Sequence, residues 1–416
     1  MREPGADVLI VGGGMVGASL ALALAGSPIR LAMVEAVVPR AAEQPSYDDR
    51  STALAPTSRR VFQALGCWDA IAAGAAAITH IHVSDQGQFG IARLDARSEG
   101  LDALGHVVPN RVLGQALHSR LAEQPVLRQY CPARVVALED VGDRVRVTIE
   151  GEQGAEMVEA RLVVAADGTR SPVREQLGLG VRETDYGQVG IIANVTPDQD
   201  HLGRAFERFT REGPLALLPL PGGHLSLVWT VHQSRARQLM ALDDAGFLQR
   251  LQQAFGYRLG RLLRVGERAC YPLHLVRSDA RRSGRVVMVG NAAHTLHPVA
   301  GQGFNLALRD VAELAEHLHR AVVAGQDPGD ARLLDSYLRA RTPDYRRVVG
   351  FTDGLVRLFS NRLPGLTLGR NLGLSMLGVM PELRRALMYQ AMGRGVPLPR
   401  LVRGLPLTAD EDVVHG

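Results

Sequence analysis

Residues 7–35 read DVLIVGGGMVGASLALALAGSPIRLAMVE, and this stretch decides the fold of the N-terminal part of the chain. Its apolar runs predict a buried strand at 8–11, a helix at 18–25 and a second strand at 29–34. The first strand and the helix are joined by a glycine-rich turn, and an acidic residue follows the second strand. A strand, turn, helix, strand and acid in this order predict a βαβ unit that binds an adenine dinucleotide.

Each residue of this motif has a physical role. Gly12 makes the tight turn, Gly14 lets a pyrophosphate approach the backbone, and Gly17 lets the helix pack closely on the strand. The helix N-terminus presents free N–H groups and a positive dipole to phosphate. Glu35 is placed to accept hydrogen bonds from both ribose hydroxyls. This motif alone does not distinguish FAD from NAD.

A second strand end is predicted within residues 159–178, EARLVVAADGTRSPVREQLG. Its apolar run at 162–166 ends at Asp167-Gly168, and a helix is expected to begin near Ser171-Pro172. Serine is a favoured helix cap, and proline suits the first helical position.

A third strand end follows the apolar run at 285–290, where Gly290-Asn291 leads into a glycine-rich loop and a helix beginning near Phe304. Ligands of open α/β sheets bind beyond the carboxyl ends of the strands. A long ligand that touches three such ends fits FAD better than NAD.

The composition of the 416 residues is that of an ordinary globular protein, with 46% hydrophobic and 22% charged residues. A net charge of +4 is too small to indicate a nucleic-acid partner. All 47 basic residues are arginine, which excludes a Walker A loop and Schiff-base chemistry. Three widely spaced cysteines favour a reducing cytoplasm, and we expect neither a signal peptide nor a membrane-spanning helix.

These segments resemble the flavoprotein aromatic hydroxylases of the para-hydroxybenzoate hydroxylase type. Within that family, HPVAGQGFNLALRD at 297–310 is similar to the signature of the ubiquinone-biosynthesis hydroxylases, most closely the branch that acts on polyprenyl methoxyphenols. The resemblance runs almost end to end. It is supported by DDRSTALAP at 48–56, HIHVSDQG at 80–87, RAFERFTREGPLALLP at 204–219 and LVRLFSNRLPGLTLGRNLGL at 355–374.

The resemblance implies an α/β fold (α+β overall) in which a Rossmann-like FAD-binding domain is interleaved with an antiparallel-sheet substrate domain. A helical C-terminal region completes the chain. The boundaries we expect are 1–75, 106–178 and 276–322 for the FAD-binding domain, 76–105 and 179–275 for the substrate domain, and 323–416 for the C-terminal region.

The resemblance also assigns residues around the flavin. Gly290-Asn291 stands where the wider family carries Gly-Asp, whose acid holds the ribityl chain. Asparagine keeps hydrogen-bonding capacity but removes one negative charge, so we expect weakened FAD retention. The flavin-positioning residues are Pro298, Gly301, Gln302 and Gly303, in a loop whose backbone N–H groups face the ring edge that gathers negative charge. Phe304 and Asn305 follow as cofactor-binding residues at the helix start, and Asn305 matches a residue that contacts the ring edge.

Three further contacts are implied at a distance from that loop. Arg50 matches an arginine that lies against the flavin, and Arg111 matches one near the pyrophosphate, although either could be a solvated side chain. Asp167 and Gly168 belong to a motif linked to both FAD and the nicotinamide nucleotide. His294 and His297 form H-x-x-H, but without a third ligand cluster we predict no metal site.

The implied reaction is NAD(P)H-driven hydroxylation of a phenol by O2 through a flavin C4a-hydroperoxide. The cofactor carries the chemistry, so we expect no side-chain nucleophile. Leu215, Leu217 and Trp229 are candidates to line a pocket for a polyprenyl phenol in ubiquinone biosynthesis, with ordinary core packing as the alternative. Open alternatives are hydroxylation at another ring carbon or of a soluble phenol, a flavoprotein prenyl reductase, and a non-catalytic flavin-binding subunit.

Residues 351–404 contain eight arginines and two acidic residues among many leucines and methionines. This composition suits a helical cap with a solvated basic face. It also suits docking to a membrane surface or to other ubiquinone-biosynthesis proteins, because a polyprenylated substrate resides in lipid. The expected location is therefore the cytoplasm, peripheral to the inner membrane.

Overall fold

The computed structural model describes residues 5–38, 50–125, 127–296, 301–360 and 398–408, together with six isolated positions between 371 and 382. The helices are α1 (Met15–Leu24), α2 (Pro56–Ala64), α3 (Trp68–Ala72), α4 (Asn110–Ala122), α5 (Pro172–Gln176), α6 (Gln233–Met240), α7 (Asp244–Phe255), α8 (Gln302–Val323) and α9 (Ala331–Ser360).

The strands of the N-terminal part are β1 (Ala6–Val11), β2 (Leu31–Val34), β3 (Ser51–Leu54), β4 (Ala76–Ile78), β5 (His80–Asp85), β6 (Ile91–Asp95), β7 (Gly105–Pro109), β8 (Leu127–Tyr130), β9 (Ala133–Asp140), β10 (Val145–Gly151) and β11 (Gly154–Ala165). The remaining strands are β12 (Val181–Pro197), β13 (Arg204–Phe209), β14 (Pro214–Pro219), β15 (Leu225–His232), β16 (Leu262–Val265), β17 (Ala269–Ser278), β18 (Arg282–Ser283), β19 (Val286–Met288) and β20 (His294–Thr295).

The first large sheet has the strand order β18-β19-β11-β1-β2-β8, and β9 and β10 extend it through β11. Strands β19, β11, β1, β2 and β8 run parallel, so their carboxyl ends meet at one edge of the sheet. All six residues of β1 are buried. Apolar side chains of α1, α4 and α8 cover one face, and β9, β10 and α5 cover the other. Burial on both faces explains why residues 8–11 of β1 are continuously apolar rather than alternating.

The second large sheet has the order β20-β17-β12-β15-β14-β13-β5-β6, with β16 paired to β12. It is antiparallel except for the β13–β5 pair. One face packs against α6 and α7 through a core that includes Ile191, Leu217, Leu227, Phe247 and Leu251. Strands β14 and β15 are antiparallel neighbours joined across a Pro-Gly-Gly turn at 221–223.

A third, three-stranded sheet has the order β3-β7-β4, and its apolar side chains pack with those of the second sheet. Strand β4 falls at the start of the region expected to be the substrate domain, and it pairs with β7 rather than with the second sheet. Strand β20 pairs with β17 of the second sheet, although we expected residues 276–322 to belong to the FAD-binding domain. The division into domains stays our proposal, and the α/β class with a helical C-terminal part is confirmed.

Helices α8 and α9 are joined by a buried network of charged side chains. Arg341 donates to Asp310 at 2.6 Å and to Asp344 at 2.7 Å, and Arg309 donates to Asp344 at 2.7 Å. Paired carboxylates offset the cost of burying the guanidinium groups, and loss of one partner would leave an uncompensated charge. The network fixes α9, the start of the C-terminal region, on the helix that begins at the glycine-rich loop. Within the ranges given above, the structure contains no helix apolar and long enough to cross a membrane.

Candidate functional site

The turn after β1 has the geometry that the glycine motif predicts. Gly12 adopts a φ of +103°, and a Cβ there would lie 2.6 Å from the carbonyl oxygen of Ala166. A Cβ on Gly17 would lie 1.9 Å from the carbonyl oxygen of Gly12. Gly14 precedes α1 in extended conformation and accepts the first helical hydrogen bond, from Ala18. Glycine is therefore required at positions 12 and 17 for the chain to pack, and the amides at the start of α1 face the carboxyl edge of the sheet.

Glu35 follows β2 and turns back toward this turn. Its Oε2 accepts a hydrogen bond from the backbone N–H of Gly13 at 2.5 Å, and its Oε1 accepts one from Val37 at 2.8 Å. A Cβ on Gly13 would lie 3.1 Å from the Cβ of Glu35. The carboxylate is thus held beside the phosphate-binding turn, where a ribose would lie.

The second strand end lies directly against the first. Asp167 follows β11; its Oδ2 accepts a hydrogen bond from Val173, whereas its buried Oδ1 has no partner among the described residues. Burial raises the pKa of this carboxyl, against the lowering effect of hydrogen bonds from Ser171 and Val173. Gly168 has a φ of +89° with open space around it. The predicted cap is confirmed, because the hydroxyl of Ser171 accepts from the N–H of Arg174.

The third strand end completes the edge. Val289 donates to the carbonyl of Ala165 at 2.9 Å, so the segment after β19 lies beside the end of β11. Gly290 has a φ of +59°, and a Cβ there would lie 3.0 Å from Val16 of α1. The side chain of Asn291 is exposed next to it. The structure therefore brings the three predicted strand ends together within contact of one another.

The loop before α8 meets β3. Gly301 has a φ of +57° and precedes Gln302 and Gly303, the first residues of the helix. The carboxamide of Asn305 accepts hydrogen bonds from Ala55 N–H and Ser58 Oγ, and it donates to the carbonyls of Ala53 and Gly301.

These four bonds make the side chain of Asn305 a clamp between the loop and β3, and the predicted contact of this residue with the ring edge stays a prediction. Phe304 stacks on Phe62 at a centroid distance of 6.3 Å. Pro298 and His297 lie outside the described residues.

The two predicted arginine contacts lie on neighbouring segments. Arg50 is half-buried at the start of β3, and its guanidinium carbon lies 4.9 Å from the centroid of the Tyr271 ring on β17. The carbonyl of Arg50 accepts a hydrogen bond from the N–H of Asn110, the first residue of α4. Arg111 comes next and is exposed. Arg50 therefore lies where β3 of the third sheet and the start of α4 meet the second large sheet, and Arg111 lies at that helix start.

His294 is buried, and neither of its ring nitrogens has a hydrogen-bond partner among the described residues. Burial lowers its pKa to about 4, so the ring is neutral at physiological pH. Nowhere in the described ranges do three or more histidine, cysteine, aspartate or glutamate side chains form a group able to hold a metal ion. The ring packs edge-on to Tyr345 at 5.1 Å, which places His294 in the packing between β20 and α9.

The face of the second sheet that points away from α6 and α7, which we call the inner face, is lined mainly by apolar residues. Strand register places Ile192, Ala216 and Val228 in one row across β12, β14 and β15. It also places Tyr271 of β17 opposite Gly190 of β12. The ring of Tyr271 contacts Arg50, so the inner face extends to the residue that precedes β3. Strand β3 in turn accepts a hydrogen bond from the side chain of Asn305 in α8, through the carbonyl of Ala53.

The three predicted pocket residues occupy the opposite face. Leu215 and Leu217 are fully buried and Trp229 is 5% exposed, all within the core against α6 and α7. Trp229 packs edge-on to Phe247 of α7 at 5.9 Å. Their positions agree with the alternative of ordinary core packing, and their predicted contact with a prenyl tail has no support in this geometry.

The described residues fit an FAD molecule. The turn at Gly12 leaves no room for a side chain, Gly168 and Gly303 leave open space, and Asp167 has an unpartnered oxygen at the same edge. Together they provide backbone amides for a pyrophosphate and hydrogen-bond acceptors for hydroxyl groups.

Comparison with known proteins agrees with this geometry. Residues 5–352 match a family described as FAD binding domain. The ubiquinone hydroxylase UbiL of Rhodospirillum rubrum is 42% identical over 97% of this chain and 94% of its own length. The 3-demethoxyubiquinol 3-hydroxylase of Escherichia coli is 33% identical over 94% of this chain and 100% of its own. The chain belongs to this family of FAD-dependent monooxygenases.

The fold of the monooxygenase is also that of solved structures. The p-nitrophenol 4-monooxygenase PnpA of Pseudomonas putida superposes with a TM-score of 0.76 at 21% identity, over 94% of this chain and 99% of its own. PqsL of Pseudomonas aeruginosa gives a TM-score of 0.74 at 24% identity, over 89% of this chain and 99% of its own. At these identities the likeness establishes the fold alone.

Two residues of the monooxygenase site were not predicted from the sequence. Gly13 is needed because Glu35 packs against it, a requirement that the unbroken Gly12-Gly13-Gly14 run could have indicated. Arg174 is buried and donates to the carbonyls of Thr169 and Ala292, which ties the second strand end to the third. No local pattern distinguishes this arginine from a solvated one.

Proposed function

We propose that this monooxygenase hydroxylates the aromatic ring of a polyprenyl phenol in ubiquinone biosynthesis, with NAD(P)H as the reductant. The observation that carries the proposal is the contact between Arg50, which we predict to lie against the flavin, and Tyr271 on the inner face of the second sheet. The inner face offers apolar side chains beside the redox cofactor, as a phenol with a prenyl tail requires. The names of the relatives UbiL and 3-demethoxyubiquinol 3-hydroxylase support the same substrate class.

Bound FAD supplies the redox chemistry, in which NAD(P)H and O2 are consumed and one oxygen atom enters the ring while the other leaves as water. The chain binds and orients the cofactor. The amides at the starts of α1 and α8 provide positive dipole ends for phosphate and for negative charge at the ring edge. Glu35 would hold the ribose, and Asn291 would contact the ribityl chain. The inner face excludes water from the reacting ring.

Purified protein reconstituted with FAD tests the reaction. With a short-chain prenyl methoxyphenol, we expect NAD(P)H oxidation to accelerate and the product to gain one oxygen atom by mass spectrometry. Product formation without O2 would instead indicate a prenyl reductase. A phenol that neither accelerates NAD(P)H oxidation nor becomes hydroxylated would favour a non-catalytic flavin-binding subunit.

The ring position is a finer part of the proposal. We favour the methoxyphenol step because Gly290-Asn291 is typical of that branch. Hydroxylation at another carbon is the second candidate, because one relative with 33% identity is named a 3-demethoxyubiquinol 3-hydroxylase. Complementation of strains blocked at each ring hydroxylation, with identification of the quinone made, distinguishes the two.

We also propose that the protein contacts a membrane surface through the arginine-rich segment at 351–404. Most of that segment lies outside the described residues, so the proposal rests on its composition and on the lipid character of the substrate. Flotation with anionic liposomes tests it by comparing the full chain with a truncation after Gly350. Equal flotation of both would remove the idea.

A further inference from the structure

Glu207 is an acidic residue in the middle of β13, on the inner face of the second sheet. Strand register places it opposite Ala216 of β14 and Val83 of β5. Alternation along β13 puts Ala205 and Phe209 on the same face. Ala205 packs in an apolar cluster with Ile78, Val107 and Leu220, and Phe209 packs in another with Ala92. The carboxyl group therefore lies between two apolar clusters.

The carboxyl group of Glu207 makes no hydrogen bond or ion pair with the described part of the chain, although the side chain is more than half covered. Loss of hydration raises its pKa to about 7. The two carboxyl oxygens of Glu207 lack a partner among the described residues, yet they are not fully buried, so they are accessible from one side. A carboxyl that is desolvated yet open on one side can meet a bound molecule, and an apolar residue would fill the position at lower cost.

The charged groups on the surrounding strands do not pair with the carboxyl group of Glu207. Arg208 points to the other face, where its Nε donates to the carbonyl of Ala254, and His82 lies on that face against Phe206. Asp85 lies at the far end of β5 beside the amide of Asn371. The guanidinium group of Arg50 lies over the ring of Tyr271 on β17, toward the opposite edge of the sheet. No described side chain on these strands donates a hydrogen bond to Glu207, so its carboxyl group is available to a bound molecule.

We propose that Glu207 is the group that receives the hydroxyl proton of the phenol substrate. This proposal rests on the proposed function, because it assumes a phenol at the inner face. In the step, the phenol O–H bond breaks and an O–H bond forms on the carboxylate, which leaves a phenolate and a neutral glutamic acid. The phenolate is the more electron-rich ring, and it therefore accepts an electrophilic oxygen more readily. The proton then returns to the oxygen of the product.

The same carboxylate sets the substrate class. Across β5, β6, β13 and β14, the described inner face carries Glu207 and Asp85 and no basic side chain of these strands. A ring that bears a carboxylate would meet like charge in a desolvated space, whereas an uncharged phenol would not. The site should therefore select neutral phenols over hydroxybenzoates.

Kinetics of Glu207→Gln test the proton transfer, with the short-chain prenyl methoxyphenol as substrate. Glutamine keeps the shape and a hydrogen bond but cannot take the proton, so we expect kcat to fall about 100-fold, the lower end for a general base. KM should change little. The wild-type rate should rise with pH through about 7, as the carboxyl ionises, and this rise should be absent in the variant. Glu267→Gln, at an exposed position before β17, is the matched control.

Equal kcat and equal pH profiles for wild type and Glu207→Gln, at equal FAD content, would overturn the proposal. If the wild type hydroxylates no phenol, the proposed function itself fails, and a binding measurement still tests Glu207. Calorimetry compares the same phenol with its methyl ether, which lacks the donor. Wild type should bind the phenol about tenfold more tightly, and Glu207→Ala should lose this preference; an unchanged preference would contradict the role.

Discussion

In the first large sheet, the predicted FAD site is formed by backbone amides at the ends of β1, β11 and β19, whereas in the second the proposed substrate site is formed by side chains along the inner face. The first arrangement depends on the absence of side chains: Gly12 and Gly17 leave no room for a Cβ. The second depends on which side chains alternate toward the cavity. The two sheets thus differ in what forms a site: backbone geometry at the predicted cofactor site, and the side chains of one sheet face at the proposed substrate site.

The largest effect on stability and FAD binding is expected from a substitution at Gly17. In Gly17→Ala, the new Cβ would overlap the carbonyl of Gly12, which belongs to the backbone and cannot rotate away. We expect the free energy of unfolding to fall by at least about 3 kcal/mol, the upper range for overpacking, with FAD lost. Thermal unfolding and the flavin-to-protein ratio measure both effects.

Gly350→Ala provides the control for that change. This glycine is exposed within α9, and a Cβ added there would meet no neighbouring atom within 4 Å. Alanine favours helix over glycine by about 1 kcal/mol, so the control should be as stable as wild type or more so. Equal behaviour of the two variants would show that the turn tolerates a side chain.

The two faces of the second sheet can be separated by Leu217→Ala and Val228→Ala. Leu217 is fully buried against the helices, so its truncation should cost about 2–5 kcal/mol of stability with KM unchanged. Val228 lies on the inner face, so its truncation should raise KM for the prenyl phenol by about tenfold with a smaller stability loss. Urea unfolding and steady-state kinetics distinguish them. If only Leu217→Ala raised KM, the face packed against α6 and α7 would be the one that contacts the substrate, as predicted from the sequence.

The Glu35→Gln variant tests whether the carboxylate after β2 contributes to FAD binding. The carboxylate oxygens already accept two backbone hydrogen bonds beside the turn, and an ionised acceptor is stronger than an amide. We expect FAD affinity to fall by about tenfold, consistent with about 1.5 kcal/mol for a hydrogen bond to a charged group. Titration of apoprotein with FAD gives the value. An unchanged dissociation constant would mean that the ribose is held elsewhere.

Asn291→Asp should have the smallest effect. Restoring the acid adds a charge-assisted acceptor for the ribityl hydroxyls, but the position is exposed and its charge is screened. We expect FAD retention through purification to improve a few-fold at most, an effect on the order of 1 kcal/mol. Equal flavin stoichiometry in the two proteins would contradict the expected weakness of the asparagine.

The first sheet was more predictable from the sequence than the second for a physical reason. Tight turns need glycine at fixed spacing, so the positions of Gly12, Gly14 and Gly17 are enough to indicate a phosphate site. Leu215, Leu217 and Trp229 show that apolar character does not reveal which face of a strand meets the substrate, because core and pocket residues have the same composition. Glu207 was missed because a single acid in an apolar strand looks like a solvated residue.

The sequence by itself determined the βαβ unit, the three strand ends and the resemblance that led to FAD. Local backbone geometry and glycine spacing depend only on short segments of the chain. Only the tertiary structure decided which side of the second sheet packs against α6 and α7 and which side meets Arg50, since register and packing depend on residues far apart in the chain. It also decided that Asn305 clamps β3 and that Glu207 has no partner among the described residues. Such facts depend on the neighbours that folding brings together.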